Sequence, residues 1–417
     1  MRMIFQDKIL RKRIFFTLGV LIIFRFLAAI PIPGIDHARL TQFFAGNEFL
    51  GMLNIFSGGG LSQFSIIMLG VVPYITGSII MQLLTVLSPK LKAMYQEEGE
   101  AGRRKFAQYG RMLTVPLALV QGFSFIKILE SQGAIVNLSG SALAGNLVII
   151  TAGSVLLMWI GELISEYGIG NGVSLIIFAG IVANIPTELG QLLYVFTASQ
   201  IPLYLLFIAV GLLVIMGVVI ITEAERPIPI TYARQVRGNK VYGGTSTYLP
   251  LRINQAGVIP IIFASSILLF PQMIFKFLAT STSHLVIAHI SQFIMSLLTN
   301  NYFYGIAYFL LVFVFTYFYT AVTFDPDQIA TNLQKNGAFI PGVRPGNSTS
   351  EHISRILTRL TLVGALFLGG IAVFPIIVKN ITGITAISVG GTALLIVVSV
   401  VIDLIKKIDA QVSIREY

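Results

Sequence analysis

Ten stretches of mostly apolar residues, each near the length of a membrane-crossing helix, constrain this chain more than any other feature of its sequence. They fall at about residues 14–33, 66–87, 112–129, 143–164, 173–185, 201–221, 256–275, 302–324, 356–378 and 384–405. A bilayer core takes roughly 20 helical residues per crossing. Backbone in lipid must satisfy its own hydrogen bonds, which leaves helices or closed barrels. Only 11% of the residues are charged, against about 25% in soluble domains, so most of the outer surface must face lipid. The expectation is an all-α polytopic membrane protein with ten transmembrane helices. The fifth stretch is short and ends at Pro186, which predicts a partial or strongly flanked helix.

Charge sets the topology. With the N-terminus inside and ten spans, 23 of the 28 Lys and Arg residues fall in inside segments. That bias predicts cytoplasmic N- and C-termini. Residues 284–298 are apolar enough to touch lipid. A crossing there would move the last seven inside positives outside, so this stretch reads as an interfacial or external helix. The N-terminal basic cluster Lys8, Arg11, Lys12 and Arg13 precedes an apolar run with no small-residue cleavage site, and the run reads as a retained first span. The net charge of +10 is read as topology and contact with anionic lipid or acidic partners, without direct nucleic-acid readout.

Several chemistries are excluded. There is no cysteine, hence no disulfide, thiolate metal site or cysteine nucleophile. His37, His284, His289 and His352 lack metal-ligand spacing, and no phosphate-binding loop, Gly-x-Ser-x-Gly or His-Glu-x-x-His pattern occurs. Neither catalysis nor a cofactor is expected. Glu162 and Asp403 lie near inner span ends, where solvation explains them. Arg25 is the one charge well inside a span. It admits two readings, a functional cation or a side chain that snorkels or pairs with a backbone carbonyl.

The segment before the second span is unusual. Gly58, Gly59 and Gly60 disfavour a regular helix. Irregular backbone at membrane depth is tolerated where protein buries it or water reaches it, so these glycines mark either a mobile element beside a cavity or an ordinary external loop. The following span has a polar seam of Thr76, Ser78 and Gln82 beside Ile75 and Ile79, and Ile177 and Ile181 repeat the one-turn spacing. Taken alone, such pairs are usual core or lipid-facing residues. Two basic inside segments, 222–253 and 325–355, exceed the length of ordinary connectors. They read as functional loops or as linker.

Five motifs in order then carry a resemblance. They are Pro31-Ile-Pro-Gly-Ile-Asp36, the run Phe56–Leu84, Gly168-Ile-Gly-Asn-Gly172, Asn254-Gln-Ala-Gly-Val-Ile-Pro260 and Gly337-Ala-Phe-Ile-Pro-Gly-Val-Arg-Pro-Gly346. Together, over nearly the whole chain, they resemble the SecY family of bacterial protein-export channels. The resemblance implies two pseudo-symmetric five-helix halves, 1–195 and 196–417, around an hourglass pore in the bacterial plasma membrane. It implies a pore ring of Ile75, Ile79, Ile177, Ile181, Ile262 and Ile396. It implies a plug at about 54–65 that includes Ile55, Phe56, Ser57, Gly58, Gly59, Gly60 and Leu61. A lateral gate would open between spans 2 and 3 on one side and 7 and 8 on the other, with Gln82 and Asn254 at its seam. The two inside loops would dock the SecA motor ATPase and the ribosome through Arg234, Arg237, Lys240 and Arg344. Asn239-Lys240 departs from the basic pair frequent in the family at that place. SecE-like and SecG-like small subunits, signal sequences and unfolded preproteins complete the implied partners.

The physics of such a site is consistent. An apolar ring excludes water and gates by dewetting, and its non-directional contacts accept any extended chain. The rival reading is a secondary transporter of a small solute, which also uses inverted repeats but calls for a deep charged or cation-coordinating site. An intramembrane protease is a weaker third.

Overall fold

The computed structural model describes residues 7–32, 54, 57–61, 63–131, 135, 139–194, 201–233, 235–237, 240–242, 246–281, 285–382 and 386–416. An α-helix overlies each of the ten predicted stretches. These are α1 (Lys8–Ala28), α2 (Val72–Leu87), α4 (Gly99–Ser131), α5 (Gly140–Tyr167), α6 (Gly172–Tyr194), α7 (Ile201–Glu223), α8 (Ile259–Ser281), α10 (Asn301–Thr323), α12 (Asn347–Thr382) and α13 (Ala386–Glu416). Three further helices stand between them: α3 (Pro89–Gln96), α9 (Leu285–Thr299) and α11 (Pro326–Lys335). Among the described residues, α4, α5, α10 continued through α11, and α12 are long and apolar enough by themselves to cross a membrane, and α2 with α3 makes a fifth if counted as one bent span.

Local chemistry sets the helix limits. Asp7 caps α1 by accepting from the Ile9 N–H at 2.9 Å, and Asn171 caps α6 by accepting from the N–H groups of Val173 and Ser174. Pro89 opens α3, and the axis turns by 113° between α2 and α3, since the residue before a proline is pushed out of the helical region. The helix of the fifth span differs from expectation: α6 runs through Pro186 to Tyr194. Proline removes the one bond to the Val182 carbonyl, yet its fixed φ still suits a helix, so the span continues past the break.

By internal packing the chain forms two compact units. The first comprises Met1–Ile208, Ser265–Gly305 and Pro375–Tyr417, and the second comprises Ala209–Ala264 and Ile306–Phe374. In the first, α2 packs on α4, α4 on α5, α5 on α6, and α6 on α13. Small residues set the close approaches. A methyl group at Gly77 would stand 3.0 Å from the Gly110 carbonyl oxygen, and one at Gly172 would overlap the Gly161 carbonyl. Lipid gives no hydrophobic drive between helices, so close van der Waals packing of this kind holds them.

The second unit contains a sheet where the sequence predicts loop. β1 (Glu225–Tyr232) pairs antiparallel with β4 (Ser246–Arg252) from Glu225↔Arg252 to Thr231↔Ser246, and its end pairs with β5 (Ala338–Phe339). A hairpin of β2 (Gln235–Arg237) and β3 (Lys240–Tyr242) lies between β1 and β4 in sequence. Pro227 faces Pro250 across the ladder, which confines two missing N–H donors to one rung. Ile228, Leu251, Ile340 and Ile353 form a buried core beneath the sheet, covered by Leu249, Phe324, Ile329, Leu333 and Val343. Both long inside loops and the first turns of α12 therefore fold as one body.

Candidate functional site

The glycine-rich segment after α1 is held at its base. Ile32 N–H donates to the Phe64 carbonyl at 2.9 Å, Ile66 N–H donates to the Ile30 carbonyl at 3.0 Å, and Pro31 bridges Ser65. Above this bridge the backbone forms successive turns. Ser57 Oγ donates to the Asn54 carbonyl at 3.0 Å and accepts from the Leu61 N–H at 3.1 Å. Ser65 N–H donates to the Gly60 carbonyl at 2.8 Å. Gly58 and Gly59 have φ of 69° and 85°, a left-handed conformation that glycine alone adopts without cost. Ser57, Gly58, Gly59, Gly60 and Leu61 are all buried. The triple glycine is thus irregular backbone, as its composition predicts, and it is buried by protein. Ile55 and Phe56 lie outside the described residues.

Phe64 carries φ of 46° and is almost wholly buried. A bulky side chain in the left-handed region costs about 1–2 kcal/mol. The bridge to Ile32 and the burial of the ring hold it there. Arg25, in the last turn of α1, donates from Nη1 to the Gly58 carbonyl at 2.9 Å. This is the backbone-carbonyl pairing that the sequence left as one of two options.

The six predicted ring residues are all buried. Ile75 and Ile79 lie on α2, Ile177 and Ile181 on α6, Ile396 on α13, and Ile262 on α8. The first five belong to the first unit and Ile262 to the second. Gln82, on α2, is half-buried and its Oε1 has no hydrogen-bond partner among the described residues. Asn254 is buried before α8; its Nδ2 donates to the Gly257 carbonyl at 3.1 Å, and its Oδ1 is likewise unpartnered among the described residues.

Of the docking candidates, Arg344 is exposed on the loop between β5 and α12. Gly342 and Gly346 flank it with φ of 83° and 98°, and its carbonyl accepts from Thr349 Oγ1 at 2.8 Å. The loop geometry is thus fixed while the guanidinium faces outward. Arg237 and Lys240 form the closing pair of the β2–β3 hairpin, and Arg234 lies outside the described residues. Glu162 is not merely solvated: it makes a 2.8 Å ion pair with Arg111 between α5 and α4. Asp403 pairs with Lys407 on the exposed side of α13. Among the described residues no three His, Asp or Glu side chains stand close enough to hold a metal ion.

The sequence model of the SecY family matches residues 65–405. The chain belongs to the SecY family. The protein translocase subunit SecY of Mycobacterium bovis is 40% identical over 432 aligned residues, covering 98% of this chain and 96% of its own length. Solved channels share the fold. One is a SecY structure in which the plug domain stabilizes the closed state of the translocation channel and maintains a membrane seal. Its TM-score is 0.68 at 21% identity, over 98% of this chain and 93% of that one. Another is Sec61 in the canine ribosome–channel complex from the endoplasmic reticulum, with a TM-score of 0.63 at 18% identity and the same coverage. The all-α membrane fold expected from the sequence is therefore shared with the SecY and Sec61 channels.

Proposed function

We propose that this chain is a multi-pass membrane channel subunit that moves unfolded polypeptides across the plasma membrane and releases apolar segments sideways into it. The observation that carries the reading is 40% identity to a protein translocase subunit along almost the entire chain, on the fold of a protein-conducting channel. A solute transporter finds no support in these relatives. No catalytic activity is assigned to the chain; a partner supplies the driving force.

Within that reading, residues 1–195 and 196–417 form the two halves of a clamshell, with both termini cytoplasmic. Ile75, Ile79, Ile177, Ile181, Ile262 and Ile396 act as the seal around the translocating chain. Their burial supports this, since a constriction closed by branched aliphatic groups excludes water and therefore ions. Residues 54–65 act as the plug. The irregular, glycine-rich and buried backbone of Ser57–Leu61 supports that role, because three of its five residues carry no side chain to withdraw. Gln82 and Asn254 line the lateral gate, each with a buried carbonyl oxygen that weakens apolar closure. Arg234, Arg237, Lys240 and Arg344 dock the SecA motor ATPase and the ribosome. A Sec61 relative was solved in complex with a ribosome, which supports the second partner. SecE-like and SecG-like subunits and anionic lipids complete the assembly.

The test exploits the absence of cysteine. Photoreactive probes introduced singly through cysteine at Ile79 and Ile181 are expected to crosslink a stalled secretory precursor. Absence of crosslinking at both, together with saturable uptake of a small solute, rejects the conduit.

A further inference from the structure

The seat of the glycine segment is more specific than a plug needs in order to fill space. Arg25 lies in the last turn of α1, where a cation ordinarily serves the carbonyls of its own helix. Here Nη1 instead donates to the carbonyl of Gly58, 33 residues further along the chain. The other face of Gly58 meets α6: a methyl group at Gly180 would overlap the Gly58 Cα, and one at Gly58 would overlap the Phe24 ring. Next to it, a side chain at Gly59 would stand 3.2 Å from Asn184 Oδ1 and 3.4 Å from Arg25 Nη1. Two glycines in contact, an aromatic wall and one charged donor thus form a fitted socket for a single peptide unit.

We propose that Arg25 and Gly180 form a latch that holds the plug shut and that yields to the backbone carbonyls of an incoming polypeptide. The inference rests on the reading of residues 54–65 as the plug of a polypeptide channel. A guanidinium at membrane depth is costly without an acceptor. Withdrawal of Gly58 breaks its charge-assisted hydrogen bond to Arg25 and leaves water to replace it, so thermal opening is opposed. An unfolded chain supplies a carbonyl at every residue. It can therefore take over the hydrogen bond whatever its sequence, and the trigger is matched to the whole substrate class. Arg25 and Gly180 are positioning residues, acting on the pore through the plug.

The experiment uses the full channel complex in planar bilayers, with resting conductance recorded in the absence of polypeptide. Loss of one hydrogen bond to a charged donor predicts a rise in resting open probability of about tenfold to a hundredfold for Arg25→Met. Arg25→Lys, which keeps the charge and one donor, is expected to rescue part of it. Gly180→Ala expels Gly58 sterically while favouring the α6 helix, so it should fold and leak; it decides the matter if Arg25→Met fails to assemble. Uptake of an unfolded precursor into proteoliposomes is measured on the same preparations. Resting conductance at the wild-type level in both variants, with uptake intact, overturns the latch and leaves the conduit standing. No precursor uptake by the wild-type complex overturns the conduit, and the latch with it.

Discussion

Among the described residues, two non-helical parts are built by opposite means. The segment Ser57–Leu61 buries one large side chain, Leu61, and is otherwise fixed by backbone turns, one serine hydroxyl and the Arg25 hydrogen bond. The sheet of the second unit has an antiparallel ladder and a four-residue apolar core. A segment fixed by a few directional bonds can be released by replacing those bonds. A segment fixed by buried apolar area loses that area whenever it moves, so it keeps its shape under load. In the proposed roles, the first is the moving seal and the second the platform for partners.

The largest effect is expected in the sheet core. Ile353 is fully buried in the cluster with Ile228, Leu251 and Ile340. Ile353→Ala should destabilise the sheet unit by about 2–5 kcal/mol through lost transfer energy and an unfilled cavity. Limited proteolysis of the 222–253 loop is the measurement. Wild-type resistance in the variant removes the contrast, because it makes the sheet no more dependent on its core than the glycine segment is.

A smaller effect is expected in the segment Ser57–Leu61. Ser57→Ala removes the acceptor of the buried Leu61 N–H and the donor to the Asn54 carbonyl. An amide left unpaired costs about 1–3 kcal/mol. Hydrogen exchange at the Leu61 amide should quicken by about tenfold or more, while amides of β1 and β4 keep their protection. Equal acceleration in both places breaks the comparison.

The two regions were also unequally legible in the sequence. Run length and the placement of Lys and Arg gave the helices, because in lipid those two quantities nearly decide the fold. Three glycines in a row flagged irregular backbone, but what Arg25 does depends on Gly58, which no local rule connects to it. The sheet was hidden for two reasons. Ile228 and Ile230 alternate as a half-buried strand should, but Pro227 and Pro229 argue against a strand. Its core is completed by Ile340 and Ile353, more than a hundred residues beyond Ile228, so no window of the sequence contains it. Gly180 and Asn184 were missed altogether: within an apolar helix a glycine and an asparagine carry no sign of what lies opposite. Five motifs shared with the SecY family named the candidate residues that patterning left bland.

On stability the smallest effect belongs to Arg344, and it is the sharpest test of the platform. The side chain is exposed, and the backbone around it is set by Gly342, Gly346 and the Thr349 hydroxyl. Arg344→Glu should therefore change the stability of the sheet unit by less than about 0.5 kcal/mol. If the charge serves only topology, one reversal among the many inside positives leaves export unchanged. If it meets an acidic surface on the motor, reversal places like charges together at a cost of several kcal/mol, and motor-driven export should fall by about a hundredfold or more. Protease resistance of the 222–253 loop and export by inverted membrane vesicles are measured on the same sample. Intact resistance with lost export assigns Arg344 to docking. Intact resistance with normal export removes it from the docking surface and leaves the sheet as a scaffold for other residues.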